Sequence, residues 1–398
     1  MPAANTATLY GTVTKTFHWL TALLILAIIP LGVIANDMAY DTNEQLALKA
    51  QLFSIHKTLG VAIFFVALAR IIWALTQTKP GPLHPDRKAE TIAAEVVHWL
   101  LFISLVAVPL TGWIHHAATT GFAPILLPIG QSLPLVPKSE ALAELFATLH
   151  WIWSKVMVAS ILLHIAGALK HQFVDKDATL RRMWFGKAEG PTVAPHHGNL
   201  IAPIAAIAIF GLATGAGAAA GFFSHQGETS AAALAEVSSE WSVTDGAIEI
   251  TVTQFGNPVT GGFADWTSAI NFDPDATGEA GDATTTVSIG SLTLGSVTNQ
   301  AMGADFFNTE AFPTAVFAAN IIEDAGSYTA QGTLTIKDNA VPVTLPFDLT
   351  LDGDTAQMNG TIAMDRRDFG IGDSMNDETN LAFGVTVNVS VTATRGQP

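Results

Sequence analysis

The chain contains no cysteine. That excludes disulfides, iron–sulfur clusters and the C-x-x-C-H attachment of c-type haem. Charge is also scarce: 13% of the 398 residues are Asp, Glu, Lys or Arg, against about 25% in an ordinary soluble protein. The few charges are unevenly placed. Of 18 basic and 34 acidic residues, positions 230–398 hold four and 22. That stretch also lacks histidine, since all 12 lie at or before His225. An acidic segment without imidazole or thiolate excludes a basic nucleic-acid face and offers no soft metal site. The first 229 residues are apolar and nearly neutral. The sequence therefore reads as two proteins joined.

In the first part, five apolar stretches reach the length of about 20 residues needed to cross a bilayer. They run over roughly 17–36, 54–76, 93–114, 150–170 and 200–222. The first is too long and too weakly basic at its start for a signal peptide, and reads as a retained helix. Lys15, Lys79, Arg87, Lys88, Lys170, Lys176, Arg181, Arg182 and Lys187 fall on one side of these spans. The other side carries Asp37, Asp41, Glu44, Lys49, Lys138, Glu140 and Glu144. The positive-inside rule places the first set in the cytoplasm of a bacterial inner membrane, with the N-terminus inside and residues from 223 onward in the periplasm. The fifth stretch has no internal histidine and reads as an anchor, with Gly211, Gly215, Gly217 and Gly221 allowing close helix packing.

After a small, polar linker over 224–238, the pattern changes to a period of two. Ile248 to Thr253 alternates, as does Val385 to Val391, and Gly, Asn and Asp punctuate short runs of Val, Ile, Thr and Phe. This is the pattern of an antiparallel β-sandwich or barrel of about eight strands. The expected boundaries are 1–190 for a membrane bundle, 191–223 for the fifth helix and its lead-in, 224–238 for the linker and 239–398 for the β domain.

Four histidines carry the chemistry of the membrane part. His18 opens the first apolar stretch, His56 opens the second, and His150 and His164 lie in the fourth. The last two are two heptads apart, so they return to nearly the same helix face, about 21 Å apart along the axis. Chain direction pairs His18 with His164 near the inner face, and His56 with His150 near the outer face. Imidazole is the usual protein ligand for haem iron, and two pairs at two depths would hold two b-type haems. The plain alternative is interfacial histidine satisfied by water or headgroups. Intramembrane ionisable residues are costly, which favours function.

Other residues carry weaker signals. Arg70 lies inside an apolar stretch, either pairing with a haem propionate or snorkelling to the interface. Lys57 follows His56 and is a candidate to pair with a propionate or attract an anionic substrate at the outer face. His98 reads as packed or interfacial, with a propionate bond as the sharper option. His171 is placed to touch a propionate. His115 and His116 read as surface histidines, with proton exchange or quinone contact as the alternative. His84, His196 and His197 receive no role.

The motifs TKTFHWL (14–20), IHKTLG (55–60), ARIIWAL (69–75), LTGWIHH (110–116) and HIAGALKHQFVDKD (164–177) resemble the bacterial cytochrome b561 family over about residues 8–187. The resemblance implies a four-helix bundle with two b-type haems on His18, His56, His150 and His164. It further implies electron transfer between the quinone pool, such as ubiquinone, and a redox partner at the outer face. Some relatives are superoxide:quinone oxidoreductases, and Lys57 keeps that alternative open. The segments VTGGFADWTSAINFD (259–273), MGADFFNTEAFPTAVF (302–317), YTAQGTLTIKDNAVPVTLPF (328–347) and DRRDFGIG (365–372) resemble the YceI-like family over about 236–396. That implies a lipocalin-like eight-stranded barrel binding a polyisoprenoid lipid or quinone. Phe255, Phe263, Trp266, Phe272, Phe317 and Phe347 are the expected lipid-binding aromatics; filling of the barrel interior is the plain alternative. Arg366 and Arg367 either meet a ligand headgroup or balance nearby carboxylates. A membrane-anchored lipid-transfer protein is the third reading, and paired histidines count against it, because an anchor does not need them.

Overall fold

The computed structural model describes residues 2–40, 42–119, 121, 123–185, 200–224, 234–235 and 237–396. Asp41, Lys187, His196, His197, His225 and most of the expected linker lie outside the described residues. The chain divides into two compact units. The first comprises Met1–Asp37, Gln51–Ala118 and Pro124–Ser224, and the second Met38–Ala50, Thr119–Ala123 and His225–Pro398.

The first unit is helical: α1 (Thr12–Asp37), α2 (Asn43–Leu75), α3 (Lys88–Ala118), α4 (Glu140–Lys170), a short α5 (Thr179–Met183) and α6 (Ile201–Ala219). All but α5 are long and apolar enough to cross a membrane. Their outward residues are apolar as well: Leu23, Leu26, Ile72 and Leu162 are each more than half exposed, as suits side chains solvated by lipid. Inside, Ile25 and Ile28 of α1 pack against Ile63 and Ala67 of α2 and Leu105 of α3.

Several helices start earlier than their apolar stretches. Ser139 caps α4, its hydroxyl accepting from the Leu142 N–H at 3.3 Å, so the helix begins in polar sequence. His56 and His150 therefore sit inside helices rather than opening them. The small residues of α6 also act differently from expectation. Ala202 and Ala206 are fully buried, and a Cβ on Gly217 would fall 2.5 Å from Ile152. A Cβ on Gly211 or Gly215 would meet open space. The packing seam is thus made by alanines and Gly217, with the Trp153 Nε1 donating to Thr214 Oγ1 at 3.0 Å across it.

The β domain has ten antiparallel segments: β1 (Trp241–Gln254), β2 (Asn257–Phe263), β3 (Trp266–Phe272), β4 (Gly278–Ser288), β5 (Leu292–Thr293), β6 (Thr314–Asp324), β7 (Ser327–Ile336), β8 (Asn339–Asp352), β9 (Thr355–Asp365) and β10 (Leu381–Arg395). They form eight staves. The segments β2 and β3 pair with β1 in one continuous register, Ile248 opposite Phe263 and Trp241 opposite Ile270. They are one strand broken at Ala264-Asp265. Likewise β5 continues β4 after the turn Ile289–Ser291. The β1–β10 pairing, with Ile248 opposite Val389, closes the ring. Closure removes the sheet edges that an open sheet would expose. A short α7 (Thr298–Met302) lies between β5 and β6.

Alternate residues of each stave point inward. Around Trp241 they pack solidly: Phe272, Ile321, Tyr328 and Phe347 fill the interior there, and the Trp241 Nε1 donates to the Phe272 carbonyl at 2.8 Å. The open part of the interior lies away from Trp241, among Ile250, Phe263, Phe307 and Phe369.

Candidate functional site

The helical unit brings the four expected histidines together in two pairs. The rings of His18 on α1 and His164 on α4 have centroids 6.1 Å apart. Those of His56 on α2 and His150 on α4 are 6.3 Å apart. An imidazole–metal bond is about 2 Å long. Two such bonds in line, with about 1 Å from each nitrogen to its ring centre, separate the centroids by about 6 Å. Both pairs match the separation required by a metal clamped between two imidazoles.

The His56–His150 pair is further prepared. The His56 Nδ1 lies 3.2 Å from the Ile28 carbonyl of α1, and the His150 Nδ1 lies 2.9 Å from the Val108 carbonyl of α3. A carbonyl can only accept, so each Nδ1 carries the proton and each Nε2 keeps its lone pair for a metal. Glycine makes both contacts possible. A helical side chain leans toward the N-terminus and covers the carbonyl one turn back. Gly32 and Gly112 each stand one turn after the accepting residue. A Cβ on Gly32 would lie 2.6 Å from His56 Cε1, and one on Gly112 would lie 3.0 Å from His150 Nδ1. The sequence signal is the pair of strings IIPLG (28–32) and VPLTG (108–112), which the sequence reading passed over.

At the His18–His164 end a third imidazole joins. The His98 ring is 5.1 Å from that of His164, so His98 is part of this cluster rather than a lone interfacial residue. Arg70 lies within electrostatic reach of His18, His98 and His164, its guanidinium 5.3 Å from the Phe102 ring centre. Lys57 is only 7% exposed and within electrostatic reach of His56, His115 and His116. It is therefore not an open landing point for an anion. His115 is no free surface residue either, its Nδ1 being 2.8 Å from the Ala143 carbonyl.

Much of the sequence along 14–20 and 164–184 serves structure. Lys15 Nζ donates to the Trp184 carbonyl at 2.8 Å, and Trp19 Nε1 to the Met183 carbonyl at 2.9 Å. Arg182 donates to the carbonyls of Gly81 and Thr8, both at 2.9 Å. After Lys170 the helix widens into a π-turn, His171–Asp175. This places Asp175 against Arg87 at 2.9 Å and Lys170 at 3.0 Å. His171 Nδ1 and His84 Nε2 meet one Asp177 oxygen at 2.7 and 3.1 Å, their rings parallel to within 5°. Burial raises the Asp177 carboxyl, but the Thr179 hydrogen bonds and His171 outweigh it and hold the pKa below the usual value. His171 is thus committed to Asp177, and His84, given no role from the sequence, shares the same knot.

The barrel encloses a cavity of about 170 Å³. Its wall includes Ile248, Ile250 and Val252 of β1, Val385 and Val387 of β10, and the rings of Phe263, Phe306, Phe307 and Phe369. Of the six expected aromatics, Phe263 lines it. Phe255 stands in a two-residue hairpin turn at φ 49° and packs with Phe306 and Met375. Phe272 and Phe347 fill the packed region around Trp241, and Phe317 packs against Ala319, Ala330 and Leu345. The Trp266 ring lies where a Cβ on Gly246 would fall, at 2.9 Å. Alternation gave these residues an inward face without saying which stretch of the interior stays open.

Arg366 is 4% exposed and its guanidinium donates to the carbonyls of Ala382, Ile371, Gly372 and Met375 at 2.5–3.1 Å. It ties the loop before β10 to the barrel and has little left for a headgroup. Arg367 pairs with Asp365 at 2.5 Å while half exposed. Replacing Arg366 with Met strands several buried carbonyls and is expected to cost on the order of 3 kcal/mol in urea unfolding followed by circular dichroism. Arg367→Ala is expected to cost less than about 1 kcal/mol.

Comparison with known proteins agrees with this division. Residues 9–186 match the family described as prokaryotic cytochrome b561. "Cytochrome b561 homolog 2" of Escherichia coli (strain K12) is 30% identical over 185 residues, covering 46% of this chain and 95% of the relative. The chain belongs to the cytochrome b561 family. A second relative, "Probable superoxide oxidase CybB" of Yersinia pestis, is 26% identical over 168 residues, 42% of this chain and 90% of that protein. Residues 237–394 match the YceI-like domain. Among solved structures, Burkholderia cenocepacia BcnA is 27% identical with a TM-score of 0.36, covering 37% of this chain and 96% of that one. The Campylobacter jejuni YceI protein is 21% identical with a TM-score of 0.31, covering 34% and 85%. Cytochrome b561 membership implies b-type haem, and the paired imidazoles, with Nε2 left free on His56 and His150, suit it. The chain is a multi-pass membrane protein of the cytochrome b561 family whose residues 237–394 match the YceI-like domain.

Proposed function

We propose that the protein is a di-haem electron carrier of the bacterial inner membrane, exchanging electrons between the quinone pool and a redox partner on the outer face. The carrying observation is the two histidine pairs, with ring centres 6.1 and 6.3 Å apart. His18 and His164 would hold the inner haem iron, and His56 and His150 the outer one. When bound, haem supplies reversible one-electron chemistry at its iron. The protein's own residues hold and orient that iron. The carbonyls of Ile28 and Val108 fix the outer imidazoles in one tautomer and raise their basicity. Arg70 places a positive charge beside the inner pair, where a propionate would be neutralised. The apolar helices keep water from both centres. The basic loops orient the bundle with its N-terminus in the cytoplasm and the barrel in the periplasm. There the cavity would hold an isoprenoid lipid or quinone.

The test is purification followed by haem quantification, redox-titrated spectra and mass spectrometry of extracted lipids. Two b haems per chain and two resolved potentials are expected, with an isoprenoid in the extract. One haem or none, after expression with ample haem, overturns the di-haem reading.

A further inference from the structure

We propose that His84, His171 and Asp177 form a binding site for an exchangeable divalent transition-metal ion of the zinc class, on the side of the helical unit that carries the basic loops.

The three side chains come from two segments. His84 lies in the loop between α2 and α3, and His171 and Asp177 lie in and just after the π-turn that ends α4. One donor atom from each, two imidazole nitrogens and a carboxylate oxygen, fall within 4.8 Å of one another. Asp177 Oδ2 is 2.7 Å from His171 Nδ1 and 3.1 Å from His84 Nε2. Ligands of a tetrahedral zinc ion stand about 3.3 Å apart, so small side-chain movements admit one. The carboxylate is also held from behind. Asp177 Oδ1 accepts from the Thr179 N–H at 2.8 Å, and the Asp177 N–H donates to the His171 carbonyl at 3.1 Å. One oxygen is thereby fixed and the other aimed at both rings, the kind of outer support that orients metal ligands.

The donor set decides the class of ion. Two imidazoles and one carboxylate suit Zn²⁺ or a neighbouring transition metal, whereas Mg²⁺ and Ca²⁺ prefer shells built from oxygen. Three protein ligands leave a position for water, so the ion can exchange. Asp177 lines an open crevice, which gives the ion a way in. Arg87 and Lys170 do not compete for Asp177, because both pair with Asp175 and Glu90. Lys176 and Arg181 line the same crevice and keep the affinity below that of a closed structural site. Without an ion, both imidazoles donate to Asp177. With one, each ring carries its proton on the other nitrogen and lends this one to the metal. The ion then ties the α2–α3 loop to the end of α4.

The test uses the full-length protein, purified in detergent without a histidine tag, and Zn²⁺ as the probe. Equilibrium dialysis should retain zinc, and Asp177→Asn and His84→Ala should each weaken that binding by at least about ten-fold. Asp177→Asn keeps a side-chain oxygen for the histidines, so it separates metal binding from the hydrogen-bonded knot. Zn²⁺ should slow amide hydrogen exchange over the α2–α3 loop and over the segment from His171 to Met183, and Mg²⁺ should not. Zinc bound undiminished in both variants belongs to other histidines and overturns the site. Zinc binding that protects neither segment of the unsubstituted protein overturns it as well, and this measurement decides even if a variant fails to fold. Equal protection by Mg²⁺ overturns the class of ion. Failure to retain zinc overturns the proposal outright.

Discussion

His56→Ala and His150→Ala are each expected to remove one haem and leave the other. The purified variants should show roughly half the b-type absorbance per chain, and a single step in a redox titration. The reason is geometric. The two pairs share helix α4 but no ligand, and His150 and His164 are about 21 Å apart along it. Losing an imidazole at one level leaves the rings at the other level in place. His18→Ala should give the reciprocal result, with the other potential surviving. At the His18–His164 end the outcome carries extra information, because His98 is 5.1 Å from His164 and could substitute as a ligand. A six-coordinate haem retained in His18→Ala but lost in His18→Ala/His98→Ala would identify that substitution. Retention of both potentials in His56→Ala would sink the assignment of the outer pair.

The second large effect concerns residues that touch no iron. Gly32→Ala and Gly112→Ala place a methyl group 2.6 Å from His56 Cε1 and 3.0 Å from His150 Nδ1. Neither helix can retreat without breaking the packing of Ile28, Ile63 and Leu105. The imidazole must move instead, and with it goes the bond from Nδ1 to the helix carbonyl. Loss of a partner of this kind typically weakens metal binding by about 10–100-fold. Haem loss on dilution in detergent, or a shifted potential of the haem assigned to His56 and His150, is the expected readout. Gly167→Ala is the control, since a Cβ there meets nothing within 4 Å. It should leave both haems unchanged and firm up α4 by up to about 1 kcal/mol. If all three glycine variants behave alike, the glycines serve helix packing and not ligand orientation.

The comparison of sequence and structure separates two kinds of information. Period and composition were enough for the architecture. Runs of apolar residues long enough to cross a bilayer specify helices, because a backbone in lipid must satisfy its own hydrogen bonds. Alternation over Ile248–Thr253 and Val385–Val391 specifies strands. The histidine pairs were legible for a related reason: two heptads return to one helix face, and chain direction alone gives depth. The helix starts were less legible, since Ser139 and the polar turns after it lie outside the apolar run that marked α4.

What the sequence could not say was decided by neighbours distant in the chain. His171 and His84 are 87 positions apart and meet on one oxygen of Asp177. Gly32 and Gly112 matter because of rings on other helices. Arg366, a candidate for a headgroup, turned inward to four carbonyls. Of six inward-pattern aromatics, the open part of the barrel uses Phe263. The absences noted at the outset, no cysteine anywhere and no histidine in the β domain, determined by themselves that a haem has no c-type attachment here and that the β domain has no imidazole or thiolate to offer it, since residue type alone limits coordination chemistry. Which atoms are free to bind, the Nε2 of the carbonyl-locked imidazoles His56 and His150, was decided by tertiary structure alone, because a polar atom is available only where folding has left it without a partner.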